Sequence, residues 1–476
     1  MSITSASGLT VNTLAGATRW LRLALSWTTA SLAVASVPAV AEDWTRTLAV
    51  TTAFSDNVDR ASASPRSDLA YIGEVGFSYQ RDSGRLTADI DANYRYLGYA
   101  RDTFDRQGYP GLAGIVDLRI LPERFSWHLE DEYGQVAPSP FGALNPLDTQ
   151  DVNYLTTGPT INLPLGALVA VNFTAEYSAT DYSVSDIDNQ QIGGTGQLVR
   201  RWGASRYLSL NYSRQKIDYD RNDLYQDYFI DKAFMRLESS VRRTSFAIDV
   251  GSMTYELEHA RRNTPLLAAT AYRQIGTRTR IGIDYFQGYS DSAEAFRLDR
   301  LGGASPTEQD VIVEAGPSRS KQASGFVMIG TPRFTSQVSI HYGNEEFEQN
   351  PASDRRIRGL AVEASLQMSP RTSLNAFGSI ENFNERLLDD DVDDTFVGLG
   401  LVYQLTAYTK LELKLVRYER NSNLGEDFAE NRVSLTWQYR KSTLVRPPAY
   451  DPFRGRGVPL PGAMERNRTP VPTSTP

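Results

Sequence analysis

The chain has 476 residues and no cysteine, which excludes disulfide frameworks, thiolate metal sites and cysteine nucleophiles. It carries 49 basic and 57 acidic residues, and this acidic balance argues against nucleic acid as a partner, because phosphate binding needs clustered Lys and Arg. Only three histidines (His128, His259 and His341) are available for metal or acid–base chemistry, and we predict neither a metal nor a cofactor. The 25 Tyr and 19 Phe, combined with a mean hydropathy of -0.39, are typical of a transmembrane β-barrel, in which half of each strand faces water.

Residues 1–41 are predicted to be a cleaved secretory signal peptide. Arg19 and Arg22 precede an apolar run from Leu23 to Val40, and the small residues of Ala39-Val40-Ala41 suit signal peptidase. A membrane anchor is the alternative, but Ser, Thr and Pro38 interrupt the run. The predicted cleavage site after Ala41 implies an oxidising, extracytoplasmic destination.

The mature chain alternates between apolar and polar residues with a period of two, which is the pattern of a half-buried β-strand. The clearest case is Arg85–Tyr99, where one face is apolar or aromatic and the other is charged or polar. A short turn joins each such segment to a second alternating segment, and a longer polar loop then follows. The first pair of predicted strands lies around Tyr71–Tyr79 and Arg85–Tyr99, and Trp44–Phe54 and Glu430–Tyr439 are unpaired at the two ends. The other predicted strands are Gly108–Ile120, Phe125–Gly134, Val152–Leu163, Ala167–Tyr182, Asn189–Trp202, Ser205–Tyr219, Tyr228–Val241, Ser245–Leu257, Pro265–Gln274, Arg280–Tyr289, Ala323–Ile329, Phe334–Tyr342, Arg356–Met368, Thr372–Phe383, Thr395–Gln404 and Lys410–Glu419.

These segments predict an all-β fold, a transmembrane antiparallel up-and-down β-barrel of about 20 strands, or 18 if two weaker segments fail. Short turns are expected in the periplasm and long loops outside the cell, which places the protein in the outer membrane of a Gram-negative bacterium. A soluble sandwich array and a β-propeller are alternatives, but no blade repeat is visible. The barrel is assigned to residues 42–440, and the Pro-rich segment 441–476 is predicted to be a disordered periplasmic tail.

The alternation also predicts which side chains line the lumen. Thirteen charged residues fall on the polar face of their segments: Glu74, Asp89, Asp91, Arg95, Asp117, Arg119, His128, Glu130, Lys232, Arg236, Glu238, Asp249 and Asp284. Charged residues in a barrel wall must face water, so these are the predicted pore lining. A wall of about 20 strands encloses more space than side chains can fill, and Trp44 follows the predicted cleavage site almost directly, which argues against an N-terminal plug domain.

Catalytic and metal-binding motifs are weak. His128 lies between Ser126 and Glu130 but no Gly-x-Ser-x-Gly motif is present, so we predict that the protein is not an enzyme. The acidic run Leu388–Asp394 is expected to be a solvated extracellular loop rather than a calcium site. Two further loops, Gln135–Asp151 and Ser290–Gln322, are long enough to fold inward or to form a surface.

Several short motifs resemble a known family. Phe54-Ser55-Asp56-Asn57-Val58, Arg66-Ser67-Asp68 and the segment from Asn145 to Gln150, followed by Thr157-Gly158-Pro159, are similar to outer-membrane, porin-like β-barrels associated with exopolysaccharide loci and PEP-CTERM sorting systems. The resemblance covers the chain to about residue 440, and the Pro-rich tail departs from it. It implies a role in helping an exopolysaccharide to cross the outer membrane, with no transferable active site.

Three functions therefore compete. The first is a conduit or accessory for exopolysaccharide export, in which inward tyrosines and acids offer stacking faces and hydrogen bonds to sugars. The second is a structural or adhesive surface protein, and the third, the least favoured, is an outer-membrane hydrolase. The expected partners are outer-membrane lipid and lipopolysaccharide, together with polysaccharide and periplasmic export components.

Overall fold

The computed structural model describes residues 43–136, 149–203, 205–221, 223–290, 316–385, 390–423 and 427–442. The predicted signal peptide and nearly all of the predicted tail lie outside these residues. Twenty strands are present: β1 Asp43–Ser55, β2 Asp68–Asp82, β3 Leu86–Tyr99, β4 Gln107–Leu121, β5 Phe125–Val136, β6 Gln150–Pro164, β7 Val169–Tyr182, β8 Asn189–Arg201, β9 Arg206–Tyr219, β10 Tyr228–Val241, β11 Thr244–Glu256, β12 Arg261–Ile275, β13 Thr279–Ser290, β14 Ser318–Gly330, β15 Phe334–Phe347, β16 Arg355–Ser369, β17 Thr372–Glu385, β18 Asp390–Gln404, β19 Thr409–Ser422 and β20 Phe428–Ser442.

The strands form one closed antiparallel barrel. Each strand pairs with its neighbours in the chain, and the first and last strands pair with each other from Thr45 opposite Ser442 to Ser55 opposite Arg432. The closing ladder has the same antiparallel form as the others, so no strand edge is left open at the ends of the sheet. Closure matters because lipid cannot hydrogen-bond an unpaired backbone N–H or C=O group.

The predicted fold class and the count of 20 strands are confirmed, and the largest differences lie at one end of the barrel. Strands β14, β15 and β18 extend about five residues further than predicted, to Ser318, Phe347 and Asp390. The extensions carry polar residues on both faces, so the period of two is lost from the sequence although the hydrogen-bonded ladder continues. The prediction of a loop over Leu388–Asp394 is therefore wrong for its described part, because residues 390–394 belong to β18.

The two ends of the barrel differ in their connections. At the end that holds Asp43 and Ser442, nine turns of two to four residues join the strands, and we call it the short-turn end. At the opposite, long-loop end the connections run from four to 27 residues, and one contains a single 3₁₀ turn, Pro351–Ser353. The described parts of the chain contain no helix that is long and apolar enough to span a membrane.

The outer face of the wall is apolar. Side chains that alternate along each strand leave large hydrophobic residues exposed on one side only, and polar residues occupy the other. The exposed set includes Leu48, Val50, Val75, Phe77, Ile192, Leu198, Leu210, Ile248, Val250, Ile283, Ile340, Leu360, Leu399, Leu413, Leu415 and Leu435. Exposure of such an apolar band to water is unfavourable in free energy, whereas contact with lipid is favourable, so the outer face is suited to a bilayer.

Two ladders stop early at the long-loop end. The pairing between β4 and β5 ends at Leu112 opposite Tyr133, although β4 goes on pairing with β3 as far as Gln107. The pairing between β12 and β13 ends at Leu267 opposite Gln287, although β12 goes on pairing with β11 as far as Arg261. Pro265, which has no N–H to donate, lies in the part of β12 that pairs with β11 but not with β13. Near the end of β13, which stays paired with β14, the N–H of Tyr289 donates to Met253 Sδ on β11 at 3.3 Å.

The opposite faces of one strand should respond differently to the same new charge. Leu435 is half exposed on the outer face of β20, and Ser434 beside it faces inward. We expect Leu435→Arg to destabilise the barrel in a lipid bilayer by about 2–4 kcal/mol and Ser434→Arg to cost much less, because only the first charge enters lipid. Denaturant unfolding in vesicles measures both, and equal costs would contradict this assignment of faces.

Candidate functional site

The thirteen residues that the sequence predicts as pore lining all lie on the strand face opposite the exposed apolar band. In β2, for example, Val75 is about half exposed on the outer face, and Glu74 lies on the inner face opposite Arg95 of β3. The register places the other twelve in the same way, as a wall of inward charges interleaved with hydroxyl and amide side chains. Whether solutes pass along this wall remains a prediction.

Some of the predicted residues meet and others do not. Arg236 on β10 donates through Nε to Oδ1 of Asp249 on β11 at 2.8 Å, and Glu238 lies two residues further along β10. Asp284 accepts a long 3.5 Å hydrogen bond from the hydroxyl of Tyr272. Asp117, His128 and Glu130 also meet. Other members contact residues outside the set: Asp89 accepts from Gln80, Arg119 donates to Thr87 at 3.5 Å, and Lys232 stands opposite Ser213.

His128 is held between two carboxylates. Its Nδ1 lies 2.8 Å from Oδ1 of Asp117 on β4, and its Nε2 lies 3.3 Å from Oε2 of Glu130, two residues along β5. Both ring nitrogens are therefore engaged by acids, as in a charge-paired structural histidine. A nucleophile–base pair would instead need one nitrogen aimed at a hydroxyl.

A buried ion pair that the sequence did not single out joins β18 and β19. Arg420 donates from Nε and Nη2 to the two oxygens of Asp394, at 2.8 and 2.7 Å. Both side chains are almost fully buried, and the two parallel bonds match the planar guanidinium to the carboxylate. The pair could not be predicted from the sequence, because Asp394 is the last residue of the acidic run Leu388–Asp394, which was predicted to be a solvated loop.

The loop between β1 and β2 packs inward near this pair. Glu430 of β20 accepts hydrogen bonds from the hydroxyl of Ser55 at 2.8 Å and from Nε of Arg60 at 3.2 Å. The Arg60 guanidinium also lies over the ring of Tyr418, 4.9 Å from its centre. The amide of Asn57, itself buried, donates to the carbonyl oxygen of Ala429. The described part of this loop is thus fixed against the inner side of β19 and β20.

A second ion pair fixes the base of the same loop. Arg66 donates through its backbone N–H and through Nε to the carboxylate of Asp59, the latter at 2.7 Å. Burial acts to raise the pKa of the Asp59 carboxyl, but these hydrogen bonds outweigh it, and the pKa lies below its ordinary value. The pair therefore stays charged at neutral pH.

Four tyrosine rings form a row inside the barrel at the long-loop end. Tyr219, Tyr228, Tyr255 and Tyr289 lie on β9, β10, β11 and β13, with successive ring centres 6.2, 5.1 and 5.7 Å apart. All four are at most 5% exposed and belong to one apolar cluster with Met253 and neighbouring side chains. The expectation that inward tyrosines offer free stacking faces is wrong for these four, because their faces are already covered by each other.

Residues from other loops cover this tyrosine row. Glu348, just beyond β15, accepts a hydrogen bond from the hydroxyl of Tyr289 at 3.1 Å and is ion-paired with Arg262. Gln349 donates through Nε2 to the hydroxyl of Tyr255 at 3.4 Å, and the N–H of Gly316 donates to the hydroxyl of Tyr219 at 2.6 Å.

This cover reaches well across the opening. Gln349, just beyond β15, contacts Tyr255 of β11 and the carbonyl oxygen of Gln226 in the loop before β10. These partners are four or more strands away, which is roughly 20 Å along the wall at about 4.8 Å per strand. The segment 348–349 therefore leaves the wall and narrows the long-loop opening on this side. The loop against β19 and β20 narrows it on another.

The described residues hold no group of three or more His, Cys, Asp or Glu side chains with the geometry of a metal site. The inner face is instead occupied by ion pairs and by hydrogen-bonded amides. In one such row, Asn172 donates to Gln197 at 2.9 Å, and Gln197 donates to Asn211 at 2.8 Å. These bonds tie β7, β8 and β9 together across the inner surface.

Comparison with known proteins gives similarity in architecture only. No protein-family profile and no curated protein sequence matches the chain. Among solved structures, the siderophore receptor PirA from Pseudomonas aeruginosa is similar over 85% of this chain and 81% of its own, with 10% identity and a TM-score of 0.46. The OccK2 (OpdF) protein of the same species, solved in complex with glucuronate, covers 85% and 98%, with 10% identity and a TM-score of 0.38.

A loop-deletion mutant of OmpT, an outer membrane protein of Vibrio cholerae, covers 84% of this chain and 99% of its own, with 8% identity and a TM-score of 0.32. The closed wall and its apolar outer band identify the kind of membrane independently of these comparisons, because a single-chain antiparallel barrel of this kind is the architecture of the bacterial outer membrane. The protein is an outer-membrane β-barrel.

The buried pair of Arg420 and Asp394 provides a test of the inner packing. We expect Arg420→Leu to destabilise the barrel by about 3–5 kcal/mol, because it leaves a buried carboxylate without its partner. The double variant Arg420→Leu/Asp394→Leu should recover most of that loss. Denaturant unfolding of the three proteins in detergent measures the difference, and a double variant no more stable than the single would show that the pair is not the cause.

Proposed function

We propose that the protein is a hydrophilic conduit of the outer membrane that assists the export of an exopolysaccharide, with its long loops outside the cell and its short turns in the periplasm. The observation that carries the proposal is the inner face, which is lined along its length with carboxylates, guanidinium groups, hydroxyls and amides. Such groups can exchange hydrogen bonds with water and with sugar hydroxyls in turn.

The two inward-packed loops support a conduit that is narrowed at one end. Arg60 and its neighbours lie against β19 and β20, and Glu348 and Gln349 lie against the tyrosine row on β9–β13. A wide barrel without any narrowing would leak small solutes, so a restricted opening suits export of a chain-like cargo. Sugar contacts then fall on the polar residues below the tyrosine row, since the rings themselves are covered.

We also infer that the protein acts without catalysis. The support is the engagement of both His128 ring nitrogens by Asp117 and Glu130. Periplasmic export components, which the family resemblance implies, would meet the short-turn end.

Ion conduction tests the conduit directly. We expect the purified protein to form channels in planar bilayers, and Glu348→Ala/Gln349→Ala to raise the single-channel conductance because the cover over the tyrosine row is released. The matched control is Arg221→Ala/Asp223→Ala, which removes an exposed ion pair from another loop. The control should leave the conductance unchanged.

If neither the wild type nor the double variant conducts, the current is measured again on a variant in which the two long loops are shortened by removal of residues 138–147 and 292–314. Absence of current from that variant as well would overturn the conduit and favour the structural or adhesive role, in which the loops rather than the lumen carry the function.

The cargo needs a separate measurement. Deletion of the gene in its host should reduce surface exopolysaccharide and leave the polymer in the periplasm, and the wild-type gene should restore export. The same polymer, cut into short fragments and added to the bilayer chamber, should block the current in a concentration-dependent way. Normal surface polysaccharide in the deletion strain would rule out this cargo while leaving the conduit in place.

A further inference from the structure

Three cations on the outer face of the wall form an unusual group at the long-loop end. Lys321 lies on β14, and Arg356 and Arg358 lie on β16. Asn344 of the intervening strand β15 is directly opposite both Lys321 and Arg356. Arg358 stands opposite Tyr342, an outward ring that is about two-fifths exposed. We call Lys321, Arg356 and Arg358 the outer cation cluster.

The outer cation cluster lies at the edge of the apolar band. Leu360 follows Arg358 by one outward position and is exposed, as is Ile340 on the neighbouring strand. With the band in the bilayer core, the three cations reach the level of the lipid headgroups. In the proposed orientation, on which this inference rests, those headgroups belong to the outer leaflet.

Three other outward cations near this end are neutralised within the wall. Arg214 is 3.3 Å from a carboxylate oxygen of Asp231, and Arg417 is 2.8 Å from one of Glu419. Arg319, on the same strand as Lys321, is paired with Glu346.

The outer cation cluster has no such partner among the described residues. No ion pair or hydrogen bond joins Lys321, Arg356 or Arg358 to the side chains that the structure describes, and Nε of Arg356 is buried without an acceptor. The nearest outward acids are used elsewhere or lie further off: Glu346 takes Arg319, and Asp391 and Asp393 on β18 accept from amides of β17. Two strand spacings, roughly 10 Å, separate β18 from β16.

Guanidinium groups without an ion-pair partner at the level of the lipid headgroups are suited to bind phosphate. An arginine fork binds two phosphate oxygens at once, and Arg356 and Arg358 stand about 7 Å apart along one strand. Lys321 lies across Asn344 from Arg356, about 10 Å away, so one site can serve more than one phosphate. We propose that the outer cation cluster binds the phosphorylated glucosamine headgroup of lipid A in the outer leaflet.

Lipid binding by the purified protein tests this proposal. The probe is bis-phosphorylated lipid A in detergent, with phosphatidylglycerol as the competing anionic lipid, and binding is followed by native mass spectrometry. We expect Lys321→Gln/Arg356→Gln/Arg358→Gln to weaken lipid A binding about 100-fold, at about fivefold for each cation near the headgroups. The affinity for phosphatidylglycerol, which has one phosphate, should be lower and change less.

The matched control removes three outward cations that already have carboxylate partners, as Arg214→Gln/Lys216→Gln/Arg417→Gln. It should weaken lipid A binding by less than about threefold, because the removed charges were neutralised within the wall. Heat-modifiable migration in gels shows that each variant is folded.

Equal weakening by both triple variants, or equal binding of lipid A and phosphatidylglycerol by the wild type, would overturn the proposal. The result is independent of the conduit, because the variants leave the inner face intact and the assay needs no current.

Discussion

The structure depends on one constraint: within lipid, every backbone N–H and C=O group needs a partner inside the protein. The ladder between β1 and β20 meets it by joining the two ends of the sheet. Once the cylinder is closed, the period of two along each strand separates apolar residues on the outside from polar residues on the inside. The polar composition and the membrane location, which seem to conflict in the sequence, follow together from this closure.

The inner face is organised by pairing rather than by open charge. Arg236 with Asp249 and Arg420 with Asp394 neutralise charge between largely buried side chains, and His128 lies within hydrogen-bonding distance of its two acids. The four tyrosines of the row at the long-loop end likewise contact one another, and they lie under the inward loops. The polar groups of the inner face that remain open to water are therefore fewer than the thirteen predicted residues and their neighbours.

The sequence predicted the fold well because strand alternation is a local signal. Tyr228–Val241 was predicted to the residue, and the thirteen inward residues share one face, because a period of two fixes the face once the strand is known. Side-chain contact partners could not be predicted from the sequence. Asp394 finds Arg420 only through the register of β18 against β19, and Glu348 reaches Tyr289 only because a loop turns inward. Neither relation is written in the spacing of residues along the chain.

The early ends of the β4–β5 and β12–β13 ladders make the wall mechanically uneven. Most neighbouring strands are joined by backbone hydrogen bonds along most of their length, whereas the β4–β5 ladder ends at Leu112 opposite Tyr133 and the β12–β13 ladder at Leu267 opposite Gln287. Beyond Leu267 the second junction depends on side chains such as Met253 and Leu266. Side-chain contacts separate at lower free energy than a continuous ladder, so we expect local opening of the wall to begin at these two places. At the second of them, only side-chain packing separates the apolar cluster inside the barrel from the surrounding lipid.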